Sequence, residues 1–124
     1  MAVLDLDFPT ASFPATASID ADCDTTVEAV TTSSTDIHTV EIDNTLNEAA
    51  EDVWLHIFNS TSTVTVGTTP PDASFPCRGG KRITYASIDG WTLDTGVQVL
   101  CKTAGGTAGT TSPTNNVKVT IVYA

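Results

Sequence analysis

The last eight residues, VKVTIVYA (117–124), set the terms for the whole chain. Val117, Val119, Ile121 and Tyr123 alternate with Lys118, Thr120 and Val122. A period of two resolves into an apolar face and a wet face only on a pleated strand. The pattern recurs upstream. DIHTVEID sets His38, Val40 and Ile42 opposite Thr39, Glu41 and Asp43; KRITYAS turns Ile83 and Tyr85 one way; VQVLCK turns Val97, Val99 and Cys101 inward. VWLHIFN (53–59) is apolar on both faces, as for a strand inside a sandwich or at an interface. STSTVTVG reads as a further short strand through Val64 and Val66, ended by Pro70-Pro71-Asp72. WTLDTG reads as a turn, and TAGGTAGTTSPTNN as a long loop too poor in bulky apolar groups to build core. The dominant residues, Thr and Val, are stiff at χ1 and suit half-buried strands. No amphipathic helix of convincing length interrupts them. Five to seven short strands joined by polar turns predict an all-β domain, an antiparallel β-sandwich of jelly-roll-like kind.

Residues 1–34 read differently. Phe8-Pro9 and Phe13-Pro14 punctuate a stretch rich in Ala, Ser, Thr and Asp. Proline fixes φ and removes a donor, so this region suits an extended arm or edge segment, with a short strand around 27–31. The division expected is an acidic N-terminal arm over 1–34 and a β-sandwich over 35–124. The first residues lack the basic and long apolar regions of a signal peptide, and no run approaches the ~20 apolar residues of a membrane helix.

The net charge of −10 is lopsided. Residues 1–77 carry thirteen acids and no Lys or Arg, whereas residues 78–124 carry two acids and all five bases. A chain this acidic repels phosphate backbones and anionic lipid, so neither nucleic acid nor membrane is an expected partner. Three of the five bases, Arg78, Lys81 and Arg82, flank Gly79-Gly80 in SFPCRGGKRITY. A nucleotide-binding loop needs G-x-x-x-x-G-K-[ST] leading into a helix. This stretch has neither the spacing nor the helix, since RITYAS follows as a strand. The glycine pair reads as a tight turn with positive backbone torsions, and the bases as a cluster able to dock an acidic surface.

The remaining chemistry is thin. His38 and His56 fall on strands without partners at ligand spacing, so packed, hydrogen-bonded histidines are expected. Asp20, Asp22 and Asp24 resemble the opening of a calcium loop, but Thr25 and Thr31 stand where its Gly and bidentate Glu belong. Cys23, Cys77 and Cys101 form no CxxC pair, and their odd number suits a reducing compartment during folding. Arg78 beside Cys77 is placed to lower that thiol's pKa. No G-x-S-x-G or triad context is present. The expectation is therefore a protein that is not an enzyme and carries no metal or cofactor.

The order of the last two-thirds carries a resemblance. VEIDNT (40–45), VWLHIFN (53–59), VGTTPPDASFPCRGG (66–80), IDGWTLDTGVQVLCKTAGGTAG (88–109) and NNVKVTIVYA (115–124) follow one another. This series resembles a group of small β-rich structural proteins of tailed-bacteriophage virions. They share a Val-Gly-Thr-x-x-Pro turn, a Pro-x-Gly-Gly turn, a Gly-aromatic step ending in Thr-Gly, a Gly-rich loop and a final valine-rich strand ending in Tyr. Some of them look like capsid decoration or cement proteins. The resemblance covers residues 36–124 and implies a non-enzymatic virion protein, made in the host cytoplasm, that bridges neighbouring capsomers on the capsid surface. It also implies the major capsid protein as partner and a homotrimer as assembly. In that setting Arg78, Lys81 and Arg82 are the docking bases, and Phe8 and Phe13 the anchors of the arm. The alternative is a tail, baseplate or fibre-associated protein that binds a host surface glycan, with Trp91 as its exposed aromatic platform.

Overall fold

The computed structural model describes residues 15–124. Within them every helix or strand element is a strand: β1 (Thr16–Asp20), β2 (Glu28–Thr31), β3 (Thr35–Asp43), β4 (Val53–Phe58), β5 (Ala73–Cys77), β6 (Arg82–Leu93), β7 (Val97–Lys102) and β8 (Lys118–Tyr123). They form two four-stranded sheets in the orders β1-β8-β3-β6 and β2-β7-β4-β5. All pairings are antiparallel. The pairs are nested. Strand β4 pairs with β5, β3 with β6, β2 with β7 and β1 with β8. The chain is thus one long hairpin centred on residues 59–72, folded so that successive pairs alternate between sheets.

The two sheets share one core. Val40, Ile42, Val119 and Ile121 from the first meet Val53, Leu55, Ile57, Val97, Val99 and Cys101 from the second. The period-two reading therefore holds for β7, for β8 and for β3 from Val40 onward. Both faces of β4 are buried as well, because loops cover the outer face of its sheet. Val64 and Val66 lie over Phe58 and Leu100, and the Gly-rich loop closes over His56 and Lys102, as the hydrogen bonds below show.

Eight strands stand where five to seven were expected, and the differences have physical causes. Strands β1 and β2 are short, polar sheet edges, which makes them weak in pattern; they place residues 16–20 and 28–31 inside the sheets. The fold therefore has no break at 34/35, and only residues ahead of Thr16 are left for an arm. Phe8 and Phe13 lie outside the described residues. Strand β5 contains Pro76, which an edge strand tolerates because the missing N–H can face outward. Conversely, Val64 and Val66 are not on a strand. Thr68 N and Thr69 N both donate to Thr65 O, at 3.1 and 2.9 Å, and Gly67 takes φ +82°, so the backbone turns back on itself. WTL continues β6 rather than turning, and the turn is confined to residues 94–96.

Strand β6 is interrupted. Ile37 pairs with Trp91 but Thr39 pairs with Ala86, so His38 alone faces four residues, Ser87 to Gly90. Gly90 adopts φ +80° and Ile88 at the tip is 94% exposed. The shift also resets the phase of β3, which is why Ile37 and Val40, three apart, are both buried. His38 is accordingly not on the core face with Val40 and Ile42.

One end of the sandwich is tied by asparagines. Asn44 is fully buried; its Nδ2 donates to Glu51 O at 2.9 Å and Cys77 O at 3.3 Å, and its Oδ1 accepts from Asn47 Nδ2 at 2.7 Å. Asn47 accepts from Asn115 N at 2.7 Å and donates to Asn115 O at 3.1 Å. Two connections, 44–52 and 103–117, and the end of β5 are thereby joined. Replacing Asn44 by Ala takes the donor from one buried and one part-buried carbonyl, and a carbonyl left unpaired away from water costs about 1–3 kcal/mol. We expect Asn44→Ala to lose about 3 kcal/mol, a fall in Tm of roughly 10 °C, measured by thermal and urea unfolding. A loss below about 1 kcal/mol would show that the network is dispensable.

Candidate functional site

The basic cluster lies where β5 leads through a turn into β6. Lys81 N donates to Arg78 O at 3.2 Å and Gly80 takes φ +73°, closing the turn. Gly80 N donates to Asn44 O at 3.0 Å and Asn44 N to Lys81 O at 2.9 Å, fastening the turn to the asparagine knot. Gly79 has ordinary φ but no room. A Cβ there would run into the Glu48 carbonyl oxygen and stand 2.8 Å from that of Glu51. One glycine thus supplies the torsion and the other the close approach.

Arg78, Lys81 and Arg82 all point into solvent around a groove of about 430 Å³. Its lining also includes Asp52, Pro76, Ile83 and Tyr85. Among the described residues the one ion pair is Arg82–Asp43 at 4.0 Å, with Arg82 62% exposed. Such a pair contributes little, so the positive charge remains available to a partner. Asp43 is held below the usual carboxylate range chiefly by the Thr45 hydroxyl (2.5 Å) and Thr45 N (3.0 Å), then by Arg82 and Lys118. The register sets Asp43 between Arg82 and Lys118. Lys118 therefore joins the same end of the sheet. Nothing in the sequence signalled this, since the link exists only through strand pairing.

The floor of the groove is fixed by aromatic contacts across two sheet edges. Tyr85 Oη donates to Pro76 O at 2.6 Å, and the Phe75 ring lies 4.9 Å from Tyr85 and 6.2 Å, nearly edge-on, from Trp91. Trp91 is half-buried against the main core and lines a surface pocket of about 210 Å³ with Phe75, Tyr85 and His38. Cys77 behaves otherwise than its neighbour suggested. Its Sγ is buried among the carbonyls of Lys81 (3.3 Å), Ile42 (3.5 Å) and Arg78 (3.7 Å), and burial pushes the thiol up rather than down. The Arg78 side chain reaches into solvent instead of toward the sulfur. Cys23 and Cys101 are also free and buried, and hydrogen bonding between them together with burial raises the Cys23 thiol.

Two further arrangements carry polar chemistry. A cleft of about 680 Å³ is lined by Trp54, Glu48, Glu51, Asp52 and Thr and Asn side chains. Glu51 there accepts from Thr114 N and Oγ1 at 3.1 and 2.7 Å. Separately, His56, 1% exposed, donates from Nε2 to Ala104 O at 3.0 Å and accepts at Nδ1 from Ser74 Oγ at 3.1 Å. Lys102, 2% exposed, donates to Thr107 O and Gly109 O at 2.8 and 2.7 Å. These contacts moor the Gly-rich loop to β4, β5 and β7. Serine beside histidine is the geometry of an activated nucleophile, but this histidine is sealed under the loop and its role in the fold is to hold it. His38 packs by Gly90 on the first sheet, and His56 belongs to the other sheet. Asp20 and Asp24 cap their own turns through Asp22 N (3.2 Å) and Thr26 N (2.8 Å). Among the described residues no group of three or more His, Cys, Asp and Glu side chains is arranged to hold a metal ion.

Comparison with protein-family models, with curated proteins and with solved structures finds no match for the chain.

Burial, and secondarily the Lys102 charge, hold His56 below its ordinary pKa, so the folded state keeps it neutral. The unfolded chain takes up that proton first as pH falls through about 6.5. The folded state then loses stability down to the lowered folded pKa, at up to about 1.4 kcal/mol per pH unit. We expect unfolding midpoints between pH 7.5 and 5 to show this loss, and His56→Gln to lack it. A variant with the same slope would assign the loss to other groups.

Proposed function

We propose that this chain is a non-enzymatic structural protein of a tailed-phage virion, a decoration protein that bridges and cements neighbouring capsomers. The observation that carries the reading is the groove: three cations ringing an apolar floor at the open edge of a rigid sandwich, in a protein otherwise strongly acidic. A rigid concavity of this composition suits a protein segment that presents apolar and acidic side chains together. The nested pairing supports a finer reading of the fold as a jelly roll, the wrapping in which a long hairpin yields sheet orders 1-8-3-6 and 2-7-4-5. Turn chemistry supports it from another side, because the Gly79-Gly80 turn and the Gly-rich loop in the resemblance to virion proteins are the parts that shape the groove and seal the outer face.

Cementing works by linkage. A protein that binds the assembled shell and not its loose subunits stabilises the assembled state. A homotrimer seated where capsomers of the major capsid protein meet would engage several of them at once and gain avidity. The groove then takes an acidic segment of the shell or of a sister copy.

A second reading, a tail or fibre protein that binds a host glycan, is favoured by one observation: the cleft beside Trp54 combines an aromatic side chain with carboxylates, hydroxyls and an amide. On that reading Trp54 joins Trp91 as a candidate platform, because the polar side chains suited to a sugar gather beside Trp54, whereas the pocket at Trp91 is lined mainly by apolar groups.

Cryo-electron microscopy of purified particles separates the two. We expect density for this chain on the capsid lattice, and density confined to the tail would overturn the cement reading. We also expect R78S/K81S/R82S to weaken particle binding by roughly 10–100-fold and to flatten its salt dependence. Full occupancy by that variant would remove the groove from the docking surface.

A further inference from the structure

The sandwich has two open edges, and they carry opposite charge. Among the described residues, β6 and β5 are the last strands of their sheets on one side, and β1 and β2 on the other. Strands β5 and β6 share the groove ringed by Arg78, Lys81 and Arg82. Strands β1 and β2 share a second groove of about 310 Å³, whose lining includes Asp20, Asp22 and Glu28. No cation lines it, and among the described residues none of its three carboxylates is in an ion pair. Burial chiefly, and then the carboxylates of Asp22 and Glu28, raise the pKa of Asp20. Like charges gathered in this way are relieved by a cation from outside. Each edge also leaves one large apolar side chain uncovered, Ile83 at 38% exposure and Ile19 at 61%.

Register sets the two edges at one height. Asp20 pairs with Val119, Val119 with Ile42, and Ile42 with Ile83. Three antiparallel steps also make β1 and β6 run in opposite directions. A second copy placed alongside, its sheets continuing those of the first, therefore brings its β1 antiparallel to β6. Its Asp20 then stands beside Ile83, one residue from Arg82. The lengths agree as well. Strand β1 has five residues, and the run of β6 ahead of the extruded segment is residues 82–86. Edge strands present unpaired N–H and C=O groups, and two such edges satisfy each other.

We propose that the groove receives the acidic β1–β2 edge of a second copy of this chain. Strand β1 of that copy adds to β6, which sets its Asp20 and Asp22 against Arg82 and Lys81, with Glu28 farther along the same edge. Each copy gives one edge and receives another. A contact between unlike surfaces closes a ring or grows an open chain, and the homotrimer proposed above is its ring of three. The inference rests on reading the groove as a docking site and names its occupant.

Charge reversal on each edge separately tests it. R78E/K81E/R82E puts acids on both edges, and D22K/E28K puts bases on both. In analytical ultracentrifugation at low salt the native chain should sediment as an assembly and each variant as single chains, with association weakened at least about tenfold. Mixing the two variants should restore association, because the edge that each retains fits the edge that the other has reversed. Both variants stay net negative, so bulk charge cannot produce the rescue. All five positions are exposed, and unchanged circular dichroism shows that the fold is kept. In the native chain, a carbodiimide should join Lys81 to Asp20 or Asp22 as an amide, with loss of water, between unlabelled and heavy-nitrogen copies. One chain cannot make that bond, since its two edges are three strand spacings, about 14 Å, apart. A native chain that sediments as single chains, or a mixture of variants that stays dissociated, would overturn the proposal. If R78S/K81S/R82S then still loses particle binding, the groove docks the shell rather than a sister copy; if it keeps full occupancy, the docking reading falls as well.

Discussion

The buried Asn44 amide is the constraint on which the basic end of the molecule depends. An amide out of water must have its donors and acceptor met. Asn44 meets them with Glu51 and Asn47 of its own connection and with Cys77 at the end of β5. No hydrophobic contact could do the same work, because apolar packing is non-directional and would fill the space without fixing where the glycine turn sits. The turn at residues 78–81 is therefore positioned by directed bonds at one end and by the pleat of β6 at the other. Its cations stay on one rim although their own side chains are unrestrained. Gly79, pressed against the Glu48 carbonyl, belongs to the same arrangement.

Much of this was legible in the residues, and what was missed follows a pattern. Strands that bury one face announce themselves, as Val117, Val119 and Ile121 do. So do strands buried on both faces, as in VWLHIFN. Edges do not, because one side of an edge strand answers to solvent. That is why β1 and the proline-bearing β5 escaped, why β2 was expected only as a short strand within an arm, and why a division was drawn at 34/35. Val64 and Val66 misled for the opposite reason: they are spaced like a strand because they lie over Phe58 and Leu100 from a folded-back loop. Periodicity reports which residues are covered, and it leaves open whether the cover comes from a neighbouring strand or from a loop.

The site divides in the same way. Arg78, Lys81 and Arg82 are close in sequence, so their clustering could be read directly. The apolar floor beneath them could not, because Pro76, Ile83 and Tyr85 come together only when β5 and β6 end up as adjacent edges of opposite sheets. Lys118 joins through register alone. The fate of Cys77 shows how a local rule fails in three dimensions. Adjacency to Arg78 suggested an activated thiolate, but Cys77 ends β5 facing the core while Arg78 opens the exposed turn, so the charge went to water and the sulfur to the core.

The extruded Ser87–Gly90 segment has a consequence for growth of the sheet. It divides β6 into a straight run from Arg82 to Ala86 and a short second run, separated by backbone that no incoming strand can follow in register. Edge strands of this length invite indefinite sheet extension, copy upon copy. Here the edge offers one short berth and then a physical stop, so an added strand is limited to about five residues and its alignment is set by where the berth ends.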